Sequence, residues 1–83
     1  MKLSPDAVAL EAAKQWAMEE KIPTANCSVV FNDAGDLEVH VQNSVSATIP
    51  KKEFEQFPAL IAQFVGERLT RAHRKMKTAG GNS

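Results

Sequence analysis

Apolar residues recur at helical spacing near the start of the chain. Ser4, Pro5 and Asp6 precede them and are typical of a helix start, with Ser4 as a cap, Pro5 at the first helical position and Asp6 near the positive end of the helix dipole. The pattern predicts a first helix that runs to about Lys21 and ends before Pro23. Its apolar stripe comprises Val8, Ala9, Ala12, Ala13, Trp16 and Ala17.

The period then changes to two, which is typical of strands with one buried face. Three such segments follow one another, and short turns join them at residues 32–35 and at Asn43-Ser44. Gly35 suits the left-handed position that the first turn requires. Because connections this short force neighbouring strands to be antiparallel, we expect a three-stranded meander. Its apolar face carries Cys27, Val29 and Phe31, then Leu37, Val39 and Val41, then Val45, Ala47 and Ile49.

Helical spacing returns in the last third of the chain. Pro58 is suited to start a long helix that runs to about Lys77, and Gly66 weakens it slightly. Residues 51–57 form either a short helical turn or an irregular segment before it. The apolar positions of the long helix are Leu60, Ile61, Phe64, Val65, Leu69, Ala72 and Met76.

These elements predict an α+β fold in the order α-β-β-β-α, a three-stranded antiparallel meander with both helices packed on one face. We expect one domain over residues 1–78 and a flexible C-terminal tail over residues 79–83. The predicted core consists of Val8, Ala12, Trp16, Cys27, Val29, Phe31, Leu37, Val39, Val41, Val45, Ala47, Ile49, Phe57, Leu60, Ile61 and Phe64.

The predicted order of elements is similar to that of double-stranded RNA-binding domains. Lys51 and Lys52 lie near the place where that family carries lysines at the start of its second helix. The glycine-containing segment of the family is replaced here by residues 47–50, and Pro58 interrupts where its second helix would continue. The resemblance is therefore one of topology, and no functional residue is carried over from it.

Residues that carry out chemistry are scarce in this chain. Glu38, His40 and Ser46 share the polar face of the meander, which offers nothing to exclude water, and we read both His40 and His73 as surface histidines. Cys27 is the only cysteine and alternates with core positions, so it behaves as a small apolar residue. We therefore predict a protein that is not an enzyme, with no catalytic or metal-binding residues and no cofactor.

The start of the sequence and the length of its apolar runs indicate where the protein is located. The first residues lack the apolar core of a signal peptide, and no apolar run is long enough for a membrane span, so a cytoplasmic protein without membrane contact is expected.

The charges are distributed unevenly along the chain, although the net charge is zero. Residues 1–67 hold all ten acidic residues and five lysines, whereas residues 68–83 hold five cations and no acid. Such asymmetry points to a charged partner.

The basic segment of the last helix is the strongest candidate for a binding surface. A helix C-terminus stabilises cations, so these residues are also compatible with a solvated helix end. However, Arg68, Arg71 and Lys75 fall on the side of Phe64, which requires that the helix outruns its sheet or that acidic groups meet these cations there. The predicted partner-binding residues are Arg68, Leu69, Arg71, Ala72, Arg74, Lys75, Met76 and Lys77.

Two functions fit this surface. We expect a binding protein that contacts a protein partner or itself, as a homodimer formed through the last helix or a sheet edge. Binding of nucleic acid by the same helix is the alternative. It ranks second because the acidic body repels phosphates and no aromatic residue lies among the cations.

Overall fold

The computed structural model describes the backbone of residues 4–42 and 45–81, and the side-chain environments of residues 4–42 and 45–74. The predicted α-β-β-β-α order is confirmed, and a short additional helix lies between the last strand and the last helix. Single 3-10 turns precede the first strand (Thr24–Asn26) and the last helix (Pro58–Leu60). The elements are α1 (Pro5–Glu19), β1 (Ser28–Phe31), β2 (Leu37–Gln42), β3 (Val45–Ile49), α2 (Lys51–Gln56) and α3 (Ile61–Gly81).

The long last helix therefore begins three residues after Pro58 and continues past Lys77 to Gly81. Helix α2 settles the open question about residues 51–57 in favour of a helical turn. Residues 79–81 belong to α3, and residues 82 and 83 lie outside the described part of the chain. The flexible tail of residues 79–83 stays a prediction.

The sheet is a meander in the order β1-β2-β3, with antiparallel neighbours. Val39 in the middle strand pairs with Val29 on one side and with Ala47 on the other. The side chain of Asn32 fixes the first hairpin, because its Oδ1 accepts hydrogen bonds from the backbone N–H groups of Ala34 and Asp36. Gly35 occupies the left-handed region (φ 87°), as the turn pattern predicts. Residues 43 and 44 of the second hairpin lie outside the described residues.

Both ends of α1 differ slightly from expectation. Ser4 makes no side-chain cap, and its carbonyl oxygen accepts the first helical hydrogen bond, from the N–H of Val8. The Ser4 hydroxyl instead bonds the carboxylate of Asp6, which lowers the pKa of Asp6. The helix ends at Glu19 because Lys21 takes the left-handed conformation (φ 61°), two residues before Pro23.

The core lies between one face of the sheet and the two long helices. Helix α1 packs on β1, on β2 and directly on α3, while α3 packs on β3. Three alanines of α1, at positions 9, 13 and 17, are completely buried. The buried apolar side chains are Ala9, Ala13, Trp16, Ala17, Leu37, Val39, Val41, Val45, Ile49, Phe54, Ile61, Val65 and Leu69.

Three predicted core residues are wrong. Phe31 and Phe57 are each half exposed, and Leu60 is 38% exposed. All three lie where an element ends or a turn begins, so they flank the core rather than fill it. Phe54 of α2 closes this end of the core instead, with its ring centroid 6.2 Å from that of Phe31.

The prediction that Leu69 belongs to a partner-binding surface conflicts with its burial. Leu69 and Val65 are completely buried, and Ala72 is partly buried against the core. The reason is that α1 lies beside α3, so the apolar stripe of α3 meets a helix as well as the sheet. Trp16 marks this contact, since its Nε1 donates a 2.9 Å hydrogen bond to Oγ1 of Thr70.

Replacement of Leu69 by alanine should therefore destabilise the monomer. We expect the free energy of unfolding to fall by about 2–5 kcal/mol, the usual cost of a Leu→Ala cavity in a core. Leu60→Ala, a matched change at a partly exposed site, should cost less than about 1.5 kcal/mol. Urea denaturation followed by the fluorescence of Trp16 measures both. Equal losses for the two variants would contradict the burial of Leu69.

Candidate binding groove between strand β3 and helix α3

A shallow groove of about 250 Å³ runs between the edge strand β3 and the last helix. Ala47 and Thr48 line it from the strand, and Arg68, Arg71 and Ala72 line it from the helix. We call it the β3–α3 groove. Three of the predicted partner-binding residues therefore meet here, and they do so beside a strand that sequence reasoning did not connect with them.

Arg68 is neutralised within the fold. Its Nη2 forms an ion pair with Oε1 of Glu53, and its Nη1 donates a 3.4 Å hydrogen bond to the carbonyl oxygen of Thr48. The guanidinium carbon also lies 5.4 Å from the centroid of the Phe64 ring, within cation–π range. The cations beside Phe64 require either that the helix extends past its sheet or that acidic groups meet them there. Arg68 fulfils the second condition, because Glu53 pairs with it.

Arg71 and Arg74 remain exposed. Neither forms an ion pair with any acid among residues 4–42 and 45–74. Glu67 stands one helical turn before Arg71, but its Oε2 accepts a 3.2 Å hydrogen bond from Nε2 of Gln63. The β3–α3 groove is therefore lined by Arg68, which is paired with Glu53, and by Arg71, which faces solvent.

The predicted binding residues Leu69 and Ala72 differ in exposure, and those after Arg74 lie beyond the described side chains. Leu69 is buried in the core and is not accessible to a partner, whereas Ala72 is partly buried and supplies apolar surface to the groove. Lys75, Met76 and Lys77 continue α3, and their side-chain environments lie outside the described part of the chain.

His73 is not the surface histidine that the sequence suggests. Its side chain is only 20% exposed, and its ring stands edge to face with Trp16 at a centroid distance of 5.6 Å. Nε2 lies 3.8 Å from Oε1 of Glu20, while Nδ1 is buried and has no hydrogen-bond partner in the part of the chain whose side chains are described. The C-terminal end of α1 covers His73. The apolar pattern of each helix taken alone does not show that the two helices are neighbours.

The polar face of the sheet carries the one arrangement that resembles catalytic machinery. Nε2 of His40 lies 3.5 Å from Oε1 of Glu38, and Ser46 is opposite His40 on the neighbouring strand. Both side chains of the pair are more than one third exposed, and within residues 4–42 and 45–74 no hydroxyl group forms a hydrogen bond with His40. His40 also borders an open, polar hollow of about 430 Å³ that Asn26, Ser28 and Gln42 line with it, so water reaches the pair. Electrostatic stabilisation of a transition state is strongest where water is excluded, and this position is wet.

The described residues offer neither a metal site nor a membrane-spanning helix. No group of three or more His, Cys, Asp or Glu side chains is placed to hold a metal ion. None of the helices in that part of the chain is both long enough and apolar enough to cross a bilayer.

The Arg68–Glu53 ion pair should be measurable as a coupling energy. Both side chains are about one third exposed, so solvent screens the pair, and we expect a coupling of about 0.5–1 kcal/mol. A double-mutant cycle with Arg68→Gln and Glu53→Gln, read by urea denaturation, gives this value. It should shrink as salt is added. Strict additivity of the two substitutions would contradict a pair that persists in solution.

Cys27 should react slowly in the folded protein. Burial raises the pKa of its thiol, although the charge of Lys14 acts in the opposite direction. Since only the thiolate is alkylated, the native chain at pH 8 should react with iodoacetamide more slowly than the chain in urea. Mass spectrometry over time follows the single thiol directly. Faster alkylation of the native chain would contradict this assignment.

Comparison of the chain with protein-family models, with curated proteins and with solved structures found no match. The assignment of function therefore depends on the groove and its charges.

Proposed function

We propose that this protein is a non-enzymatic binding protein that holds an acidic segment of a protein partner in the β3–α3 groove. The observation that supports the proposal is Arg71, which lines the groove, is exposed, and has no acidic partner among the described residues. Arg74 lies one turn further along α3 and extends the same basic surface. A partner carboxylate supplies the missing counter-charge.

The shape and chemistry of the groove suit a protein side chain. Ala47 and Ala72 offer apolar surface for the stem of a Glu or Asp, and the Arg71 guanidinium offers a planar pair of donors that matches a carboxylate. A volume of about 250 Å³ lies below the roughly 300–1,000 Å³ typical of small-molecule sites. The groove is also shallow, as expected for a surface that binds one or two side chains of a larger partner.

Charge elsewhere on the molecule favours protein over nucleic acid. Residues 1–67 carry a net charge of −5, with ten acidic residues against five lysines. Arg68, the cation nearest the sheet, is already held by Glu53. A duplex laid along α3 would bring its phosphates towards this acidic body, whereas a short acidic peptide would contact only the basic edge.

Binding of an acidic peptide tests the proposal. We expect a fluorescein-labelled peptide of Glu, Asp and Leu residues to bind with a dissociation constant of about 10–100 µM, weakening as salt rises. Arg71→Glu should abolish this binding, because it replaces the groove cation with an anion. Lys52→Glu makes the same change of charge at an exposed site on α2 and should have little effect. Fluorescence anisotropy measures all three proteins.

Two results would overturn this function. One is equal loss of peptide binding in the Arg71 and Lys52 variants, which would mean that only net charge matters. The other is submicromolar binding of an oligonucleotide by the same assay, with a log-log salt slope of about −3 to −4, which would favour the nucleic-acid alternative.

A further inference from the structure

Strand β1 forms an edge of the sheet that differs from the edge formed by β3. Among the strands of residues 4–42 and 45–81 it pairs with β2 alone, and its sequence Ser28-Val29-Val30-Phe31 contains no charge. Val30 and Phe31 are each 49% exposed, on opposite faces of the sheet. Proteins usually protect such edges with lysine, proline or a covering element, because an open edge pairs readily with another strand.

The hydrogen-bond pattern indicates which backbone groups of β1 are free. The N–H of Asn32 donates to the carbonyl oxygen of Asp36 at 2.9 Å, so this pair is hydrogen-bonded. In an antiparallel ladder bonded and non-bonded pairs alternate, so Val30 faces β2 while Val29 and Phe31 direct their N–H and C=O groups outward. No hydrogen bond to these outward groups occurs within residues 4–42 and 45–74.

The same alternation, carried across β2, predicts that Thr48 of β3 directs its carbonyl group outward. Arg68 donates a hydrogen bond to this carbonyl oxygen, which agrees with a carbonyl group that points away from β2. At the β3 edge the side chain of Arg68 thus occupies an outward carbonyl group, and the exposed cation Arg71 lies alongside. The β1 edge carries neither obstacle.

We propose that two copies of this protein join through their β1 strands, antiparallel and centred on Val30. In this register Val29 of each copy lies opposite Phe31 of the other, and their outward backbone groups form four hydrogen bonds. The two Val30 residues lie directly opposite each other at the two-fold axis. The result is a continuous six-stranded sheet with all helices on one face.

This register also covers the exposed apolar side chains of β1. The two Val30 side chains pack together on the polar face of the sheet, and each Phe31 packs over Val29 of the other copy on the helix face. Ser28 lies opposite Asn32, so no two charges are opposed. Because the strand is only four residues long, the interface is small, and we expect a dissociation constant in the micromolar range.

Charged variants of Val30 test the register. Sedimentation between about 5 and 500 µM should show a monomer–dimer equilibrium for the unchanged protein. Val30→Lys and Val30→Glu should each be monomeric, because like charges meet at the axis, while an equimolar mixture of the two should recover a dimer. Val30→Thr keeps a β-branched, uncharged side chain and should still dimerise. Monomeric protein throughout, or a mixture that stays monomeric, would overturn the proposal.

Disulfide trapping supplies a second readout. In a Cys27→Ser background, Val30→Cys should form an intermolecular disulfide under mild oxidation, because Cα atoms of directly opposed non-bonded pairs are about 4.5 Å apart, within the range for a disulfide. Thr48→Cys places a thiol on the same face at the other edge and should not cross-link. Equal cross-linking by both variants, or preferential cross-linking through Thr48→Cys, would overturn the β1 interface.

Discussion

The contact between α1 and α3 is the constraint on which the rest of this structure depends. Ala9, Ala13 and Ala17 are small residues on the buried stripe of α1, so at these positions the helix lies close to its neighbours. The apolar stripe of α3 is thereby enclosed between α1 and β3 as far as Leu69. Once that stripe faces inward, Arg68 and Arg71 must emerge on the flank that borders β3, which is where the groove forms.

Much of the fold could be predicted from local pattern. Alternation of apolar residues located all three strands, and Asn32 and Gly35 located the first hairpin, because turn chemistry depends on residues that are adjacent in sequence. The burial of Leu69 and the place of Phe54 could not be predicted in the same way. Both depend on which elements become neighbours, and an apolar residue looks the same in a core and on a protruding edge.

The candidate site likewise combines residues that a local pattern identifies with partners that come from other elements of the fold. The run of cations after residue 67 is evident in the sequence, but the counter-ion of Arg68 comes from Glu53 on another element. Helical phase did indicate that Arg68 needed an acidic neighbour if α3 stayed on the sheet. No pattern in the chain indicates that Ala47 and Thr48 form the opposite wall, because strand order determines which strand borders α3.

The position of β3 at the far edge has a geometric consequence for any assembly built on β1. Six strands spaced about 4.8 Å apart place the two β3 strands, and with them the two grooves, about 24 Å from each other. A single extended chain with acidic clusters some eight residues apart spans that distance. Occupation of one groove would then raise the local concentration of the second cluster, and avidity rather than the strength of one contact would determine which chains are retained.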